Sequence, residues 1–224
     1  SGGVLVRSGA AEASIDLIKK AELSHAAVLC HCLNEQGAFL SEEELVTLSE
    51  KENLNLIRIS EIIEERLSKE SIVEKIAEAK LPIKTAGNFK AICFRSKLDH
   101  TEHLALVRGE IDERPILTRV QAENKVSDIL GNGDFSSKDR ISKSLAQIEE
   151  EGRGIFVYIR HPYKKSFSQS KNSLKNRASV FREYGIGAQI LSSLGAKKIK
   201  LISNAEVSGI NAFDLEIVER VPLK

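Results

Sequence analysis

The chain has 224 residues, enough for one large domain or two modest ones, each able to bury its own core. Its 33 basic and 32 acidic residues nearly cancel, so bulk charge gives no reason to expect nucleic acid or an anionic membrane as a partner. No apolar run approaches bilayer length, and three cysteines, an odd number, argue against a disulfide framework and for a reducing, cytoplasmic setting. The chain contains no methionine and opens Ser1-Gly2-Gly3, as expected of a piece of a longer gene product.

Residues 1–68 read as alternating strand and helix. Residues 4–6 form a short apolar strand, and Ile15, Leu17, Ile18 and Ala21 fall at helical spacing over residues 12–23. Residues 26–29 predict a buried strand, and Asn34-Glu35-Gln36-Gly37 is a turn signal. Ser41 before Glu42-Glu43-Glu44 predicts a capped helix with acids where the dipole favours them. A third strand over 54–59 and a helix over 60–67 complete a βαβαβα order, which implies a parallel or mixed sheet covered by helices. Cys30 and Cys32 alternate with His31 along a strand, so the three cannot converge on one ion, and the expectation is a buried, unliganded cysteine pair.

The hydrophobic pattern is weakest at residues 68–71, which we take as the boundary between domains 1–68 and 72–224. Ser71 and Glu74 make a capping-box pair that predicts a helix running to residue 79. Short strands follow over 89–95, 104–109 and 116–121, with His100 and His103 placed at a solvated turn. Then come a helix over 138–150, a strong strand over 154–159, a helix over 184–194, and strands over 198–202 and 215–219. The fold class is therefore α/β for the first segment and α+β for the second. The Ser-, Lys- and Asn-rich residues 164–177 read as a solvated surface loop, too poor in aromatics to suggest RNA.

Arg182-Glu183-Tyr184-Gly185-Ile186-Gly187-Ala188-Gln189-Ile190-Leu191, continuing to Gly195 and a strand at 198–203, resembles GTP cyclohydrolase II, a zinc enzyme of riboflavin biosynthesis. The resemblance covers most of residues 72–224 and implies substrate-binding roles for Arg119 and Glu123 and a catalytic role for Arg182. It also implies three zinc thiolates, at positions held here by Asn124, Phe135 and Ser137. Amide and hydroxyl oxygens are weak zinc donors and phenylalanine is none, so no thiolate site is expected. The family's glycine-rich phosphate loop is replaced by His161-Pro162-Tyr163-Lys164-Lys165-Ser166, and its acid two residues before the catalytic arginine by Val180. Its late Asn-Asn-Pro run is here Asn204-Ala205-Glu206.

Residues 1–67 resemble the C-terminal part of 3,4-dihydroxy-2-butanone 4-phosphate synthase, a magnesium enzyme often fused upstream of GTP cyclohydrolase II. The matching runs are residues 2–7, residues 12–17, and Val28-Leu29-Cys30 with Asn34. The family's Gly-His-Thr-Glu is Gly9-Ala10-Ala11-Glu12 here, and its Cys-Glu pair is Cys30-His31, so its magnesium ligand and an acid are lost. Three readings compete. The first is a catalytically degenerate, homodimeric structural or regulatory module that uses neither zinc nor magnesium. The second is a working GTP cyclohydrolase II. The third is a cleft that binds GTP or another phosphorylated ligand through Arg119 and Arg182.

Overall fold

The computed structural model describes residues 2–24, 26–84, 86–130, 137–160, 177–203 and 215–224. The chain divides into two compact units, Ser1–Arg66 and Leu67–Lys224.

In the first unit a 3-10 turn (Gly3–Leu5) leads into helix α1 (Ala10–Lys20). The buried carboxylate of Asp16 holds them together. It accepts from Val4 N at 2.8 Å and from Arg66 Nη1 at 2.9 Å, and Arg66 also reaches Gly2 O at 2.8 Å. Gly3 has φ +57°, and a Cβ there would sit 2.3 Å from Asp16 oxygens, so only glycine permits this approach. Helix α2 (Glu42–Lys51) has the expected cap: Ser41 Oγ accepts from Glu44 N, and Glu44 Oε2 accepts from Ser41 N at 2.7 Å. Hydrogen bonding to Ser41, from its backbone N–H first, holds the Glu44 carboxyl below its usual pKa. Helix α3 (Ile59–Lys69) contains the unit boundary and buries Ile62, Ile63 and Leu67.

The three strands expected over 4–6, 26–29 and 54–59 do not form. The first is the 3-10 turn, residues 26–29 and 54–58 have no ladder partners, and Ile59 already belongs to α3; the one bridge among described residues of the unit is Leu33 with Phe39. The individual strands expected within residues 1–68 are thereby corrected, while the chain as a whole keeps the expected mixed α/β sheet covered by helices. A strand-prone segment becomes a strand only against a neighbour, and none is offered here, so Val28 stays 92% exposed. Cys30 and Cys32 are consequently exposed rather than a buried pair.

The second unit is a seven-stranded mixed sheet. Its strands are β1 (Val73–Ile83), β2 (Gly87–Ser96), β3 (Glu102–Arg108), β4 (Ile116–Ala122), β5 (Gly154–Ile159), β6 (Lys198–Ile202) and β7 (Glu216–Val221), in spatial order β1-β2-β3-β5-β4-β6-β7. The contacts are antiparallel from β1 to β5 and parallel from β5 through β4 and β6 to β7. The helix expected from Ser71 to residue 79 is instead the edge strand β1. Ten residue pairs register it against β2, a ladder that outweighs one local capping signal.

Strand β5 is central and buried on both faces. Phe156 packs with Leu106, Leu117, Leu145 and Ile148 beneath helix α5 (Ser137–Glu151). Ile155, Val157 and Ile159 are fully buried, and helix α6 (Arg177–Ser193) packs on β5 and β4, with Ile190 and Leu191 also buried. Glycines allow the close approach of α6: a Cβ at Gly187 would lie 2.9 Å from Val120 Cγ1, and one at Gly185 2.5 Å from Leu67 Cδ1. Gln189 on α6 then clasps the start of the unit. Its Oε1 accepts from Ile72 N at 2.8 Å, and its Nε2 donates to Leu67 O at 2.7 Å and Glu70 O at 2.6 Å. No described helix is long and apolar enough to cross a membrane.

Candidate functional site

Parallel strands aim their C-terminal ends at one rim, where ligands of such sheets gather. Here that rim is the ends of β4 and β5, on the face covered by α5, against which the short helix α4 (Lys125–Leu130) packs. Arg119 and Gln121 alternate onto the same side of β4. Arg119 donates from Nη1 to Ile202 O at 2.7 Å and from Nη2 to Gln121 Oε1 at 2.9 Å. Gln121 Nε2 donates to Ser137 Oγ at 3.0 Å, at the first residue of α5. Glu123 N donates to Ile159 O, and the Glu123 carboxylate, only 11% exposed, faces Arg160 Nε at 4.0 Å.

Asn124 is the N-cap of α4: its Oδ1 accepts from Ser127 N at 3.3 Å. Ser127 Oγ in turn accepts from Ser137 N at 2.7 Å. Asp128 Oδ2 accepts from Asn124 N at 2.8 Å and from the Tyr158 hydroxyl. Burial, the hydrogen bond to Asp128 and the negative charges of Asp128 and Glu123 all raise the Tyr158 pKa, so the phenol stays protonated far into the alkaline range. Burial chiefly, with the nearby Glu102 charge, also raises the Cys93 thiol, which therefore has no thiolate character at neutral pH.

The structure thus brings Arg119 and Glu123 to one rim but engages Arg119 with the protein itself. Arg182 lies on α6; its side chain is outside the described residues, as are Phe135, Val180, residues 161–176 with the expected loop, and residues 204–214. His103 is buried on β3, not at a solvated turn, because its ladder partner Phe94 carries it inward; its Nδ1 accepts from Arg160 N at 3.2 Å. Gln121, Ser127, Asp128, Tyr158 and Gln189 were not singled out by sequence. A tyrosine at an otherwise apolar alternating strand was the one available hint.

Zinc does not fit this rim. Asn124 Oδ1 and Ser137 Oγ are already hydrogen-bond acceptors, Ser137 is 1% exposed, and no three His, Cys, Asp or Glu side chains converge among the described residues. Magnesium fares no better in the first unit. Ala10 and Ala11 open α1, and Glu12 pairs with Arg7 at 3.7 Å.

Residues 74–222 match the family GTP cyclohydrolase II, and residues 1–65 match 3,4-dihydroxy-2-butanone 4-phosphate synthase. The chain is 40% identical to the Arabidopsis thaliana protein named monofunctional riboflavin biosynthesis protein RIBA 2, chloroplastic, covering 99% of the chain and 49% of that protein. It is 37% identical to riboflavin biosynthesis protein RibBA of Aquifex aeolicus, over 100% of the chain and 60% of that protein. Among solved structures it superposes on RibBX, a two-domain 3,4-dihydroxy-2-butanone 4-phosphate synthase from A. baumannii. That match has a TM-score of 0.80 and 29% identity, and covers 98% of this chain and 60% of that one. The chain spans about half the length of its curated relatives, from 44% to 61%.

Proposed function

The chain belongs to the GTP cyclohydrolase II family, with a segment of the synthase family ahead of it, and we propose that its cyclohydrolase half is catalytically degenerate and serves as a structural, dimer-forming or regulatory module of riboflavin biosynthesis. One observation carries this reading: the positions where the family places zinc thiolates are, at Asn124 and Ser137, a helix cap and a buried hydrogen-bonding hydroxyl. Without a metal to acidify water, and with Val180 where a base is needed, ring opening has neither nucleophile nor proton acceptor. The match to RibBX supports the reading, because RibBX is a two-domain 3,4-dihydroxy-2-butanone 4-phosphate synthase and 98% of this chain, both halves included, superposes on it.

Binding of GTP or another phosphorylated ligand through Arg119 and Arg182 is the weaker alternative, since Arg119 already donates to Ile202 O and Gln121. We assign the module to the cytoplasm from its cysteine usage, and to a homodimer. The apolar strand expected over residues 4–6 is a 3-10 turn with Val4 and Leu5 buried, so it offers no open strand edge for a partner. The exposed Val28, Phe39, Leu54 and Ile57 are the surface that self-association would cover. The test of the functional reading is formate release from GTP in zinc-supplemented buffer. No release above background is expected, and steady release abolished by Arg182→Ala would overturn the proposal.

A further inference from the structure

The bonds at the rim form one directed chain. Arg119 Nη2 donates to Gln121 Oε1, Gln121 Nε2 to Ser137 Oγ, Ser137 N to Ser127 Oγ, Ser127 N to Asn124 Oδ1, and Asn124 N to Asp128 Oδ2. Every link runs donor to acceptor in the same sense, from a guanidinium cation to a carboxylate anion. At Gln121 one conjugated amide accepts at Oε1 and donates at Nε2, so the first bond polarises the second; at Ser137, Ser127 and Asn124 the chain passes from side-chain oxygen to the residue's own backbone N–H, which links the groups mechanically. The setting is dry at its middle: Gln121 is 9% exposed, Ser127 4% and Ser137 1%. Both ends are anchored in the sheet, at Ile202 O on β6 through Arg119 and at Tyr158 on β5 through Asp128.

A metal ion held by positions 124 and 137 would tie the end of β4 to the start of α5. The hydrogen-bond chain ties the same two points, using the same two residues as intermediate links. We propose that this network replaces metal coordination as the brace of the rim, so that α4 and the start of α5 fold and stay docked without any metal ion. The proposal rests on the degenerate-site reading only in taking positions 124 and 137 as former ligands. It goes beyond that reading by assigning a structural role to Arg119, Gln121, Ser127 and Asp128. It also explains why Asn and Ser suit these positions: Asn is among the best helix caps, and a buried serine hydroxyl can accept from Gln121.

The test is hydrogen exchange at the Ser137 amide in the full chain, with the central β5 amides as a folding control. In the unsubstituted protein, protection should be the same within about twofold with a chelator or with added zinc, because no metal holds the segment. Ser127→Ala removes the acceptor of Ser137 N and should speed exchange there by about tenfold or more while β5 stays protected. Ser127→Thr keeps an Oγ and should restore protection, which separates loss of the bond from general misfolding. Gln121→Ala combined with Ser127→Ala should accelerate exchange by less than the product of the single effects, as linked members of one network do. Exchange at Ser137 unchanged by Ser127→Ala, protection lost on chelation, or strictly multiplicative single effects would each overturn the proposal. GTP turnover does not enter these readouts, so a finding of activity would strike the functional reading and leave the brace to be judged by exchange alone.

Discussion

Replacing Gln189 by alanine should loosen the entry to the second unit. The side chain makes three hydrogen bonds to backbone, and their losses are unequal. Ile72 is 2% exposed, so its amide would be left buried without an acceptor, at a cost of about 1–3 kcal/mol. The Leu67 carbonyl, partly buried at the end of α3, loses about 1 kcal/mol more, whereas the exposed Glu70 carbonyl rehydrates at little cost. Alanine returns a few tenths of a kcal/mol through its higher helix propensity, leaving a net loss of about 2–4 kcal/mol. Urea unfolding should show that loss, and hydrogen exchange should place it at Ile72. Gln189→Glu keeps an acceptor for Ile72 but sets a carboxylate oxygen against the Leu67 and Glu70 carbonyls, so it should be destabilised relative to the original as well. A Gln189→Ala protein within about 0.5 kcal/mol of the original, with Ile72 still protected, would refute the assignment of Gln189 as the clasp.

Gly185→Ala should destabilise by about 1–3 kcal/mol in the same assay, because its Cβ would stand 2.5 Å from Leu67 Cδ1; an unchanged urea midpoint would show that α6 shifts freely. Tyr158 titrates above its usual value in the folded chain, so its contribution to stability is fully present below about pH 10 and lost as pH rises through the folded value. Tyr158→Phe should therefore flatten the decline of the urea midpoint above about pH 10, and a decline identical in both proteins would contradict the Asp128 contact. Light scattering over a wide concentration range should give twice the chain mass; a constant 24.7 kDa would rule out the dimer.

Much of the second unit was legible because its strands and helices carry their own periodicity. Ile155, Val157 and Ile159 alternate, and Ile186, Ile190 and Leu191 recur at helical spacing; both patterns survive as buried faces. The α2 cap was legible for a different reason, since Ser41 and Glu44 satisfy each other locally. Where a feature depends on a distant partner, local pattern misled. The Ser71–Glu74 signature lost to the β1–β2 ladder, and the residues 26–29 and 54–58 have strand-forming composition but no strand beside them. His103 looked exposed from its turn-rich neighbourhood, yet its register opposite Phe94 buries it. The rim network was the least legible part. Gln121, Ser127 and Ser137 are separated by up to 16 positions and are unremarkable in composition, and only the packing of α4 on α5 and of α5 on β4 makes them neighbours.

Hydrogen-bonding groups stand at Asn124 and Ser137, where the family would place metal ligands, and should leave no tight site for zinc. Elemental analysis of the purified full chain, after exposure to excess zinc and removal of loosely bound ion, tests this most directly. The oxygen and amide groups of Asn124 and Ser137, already engaged, should retain far less than one zinc per chain. About one tightly held zinc per chain, released together with unfolding of the second unit, would contradict it.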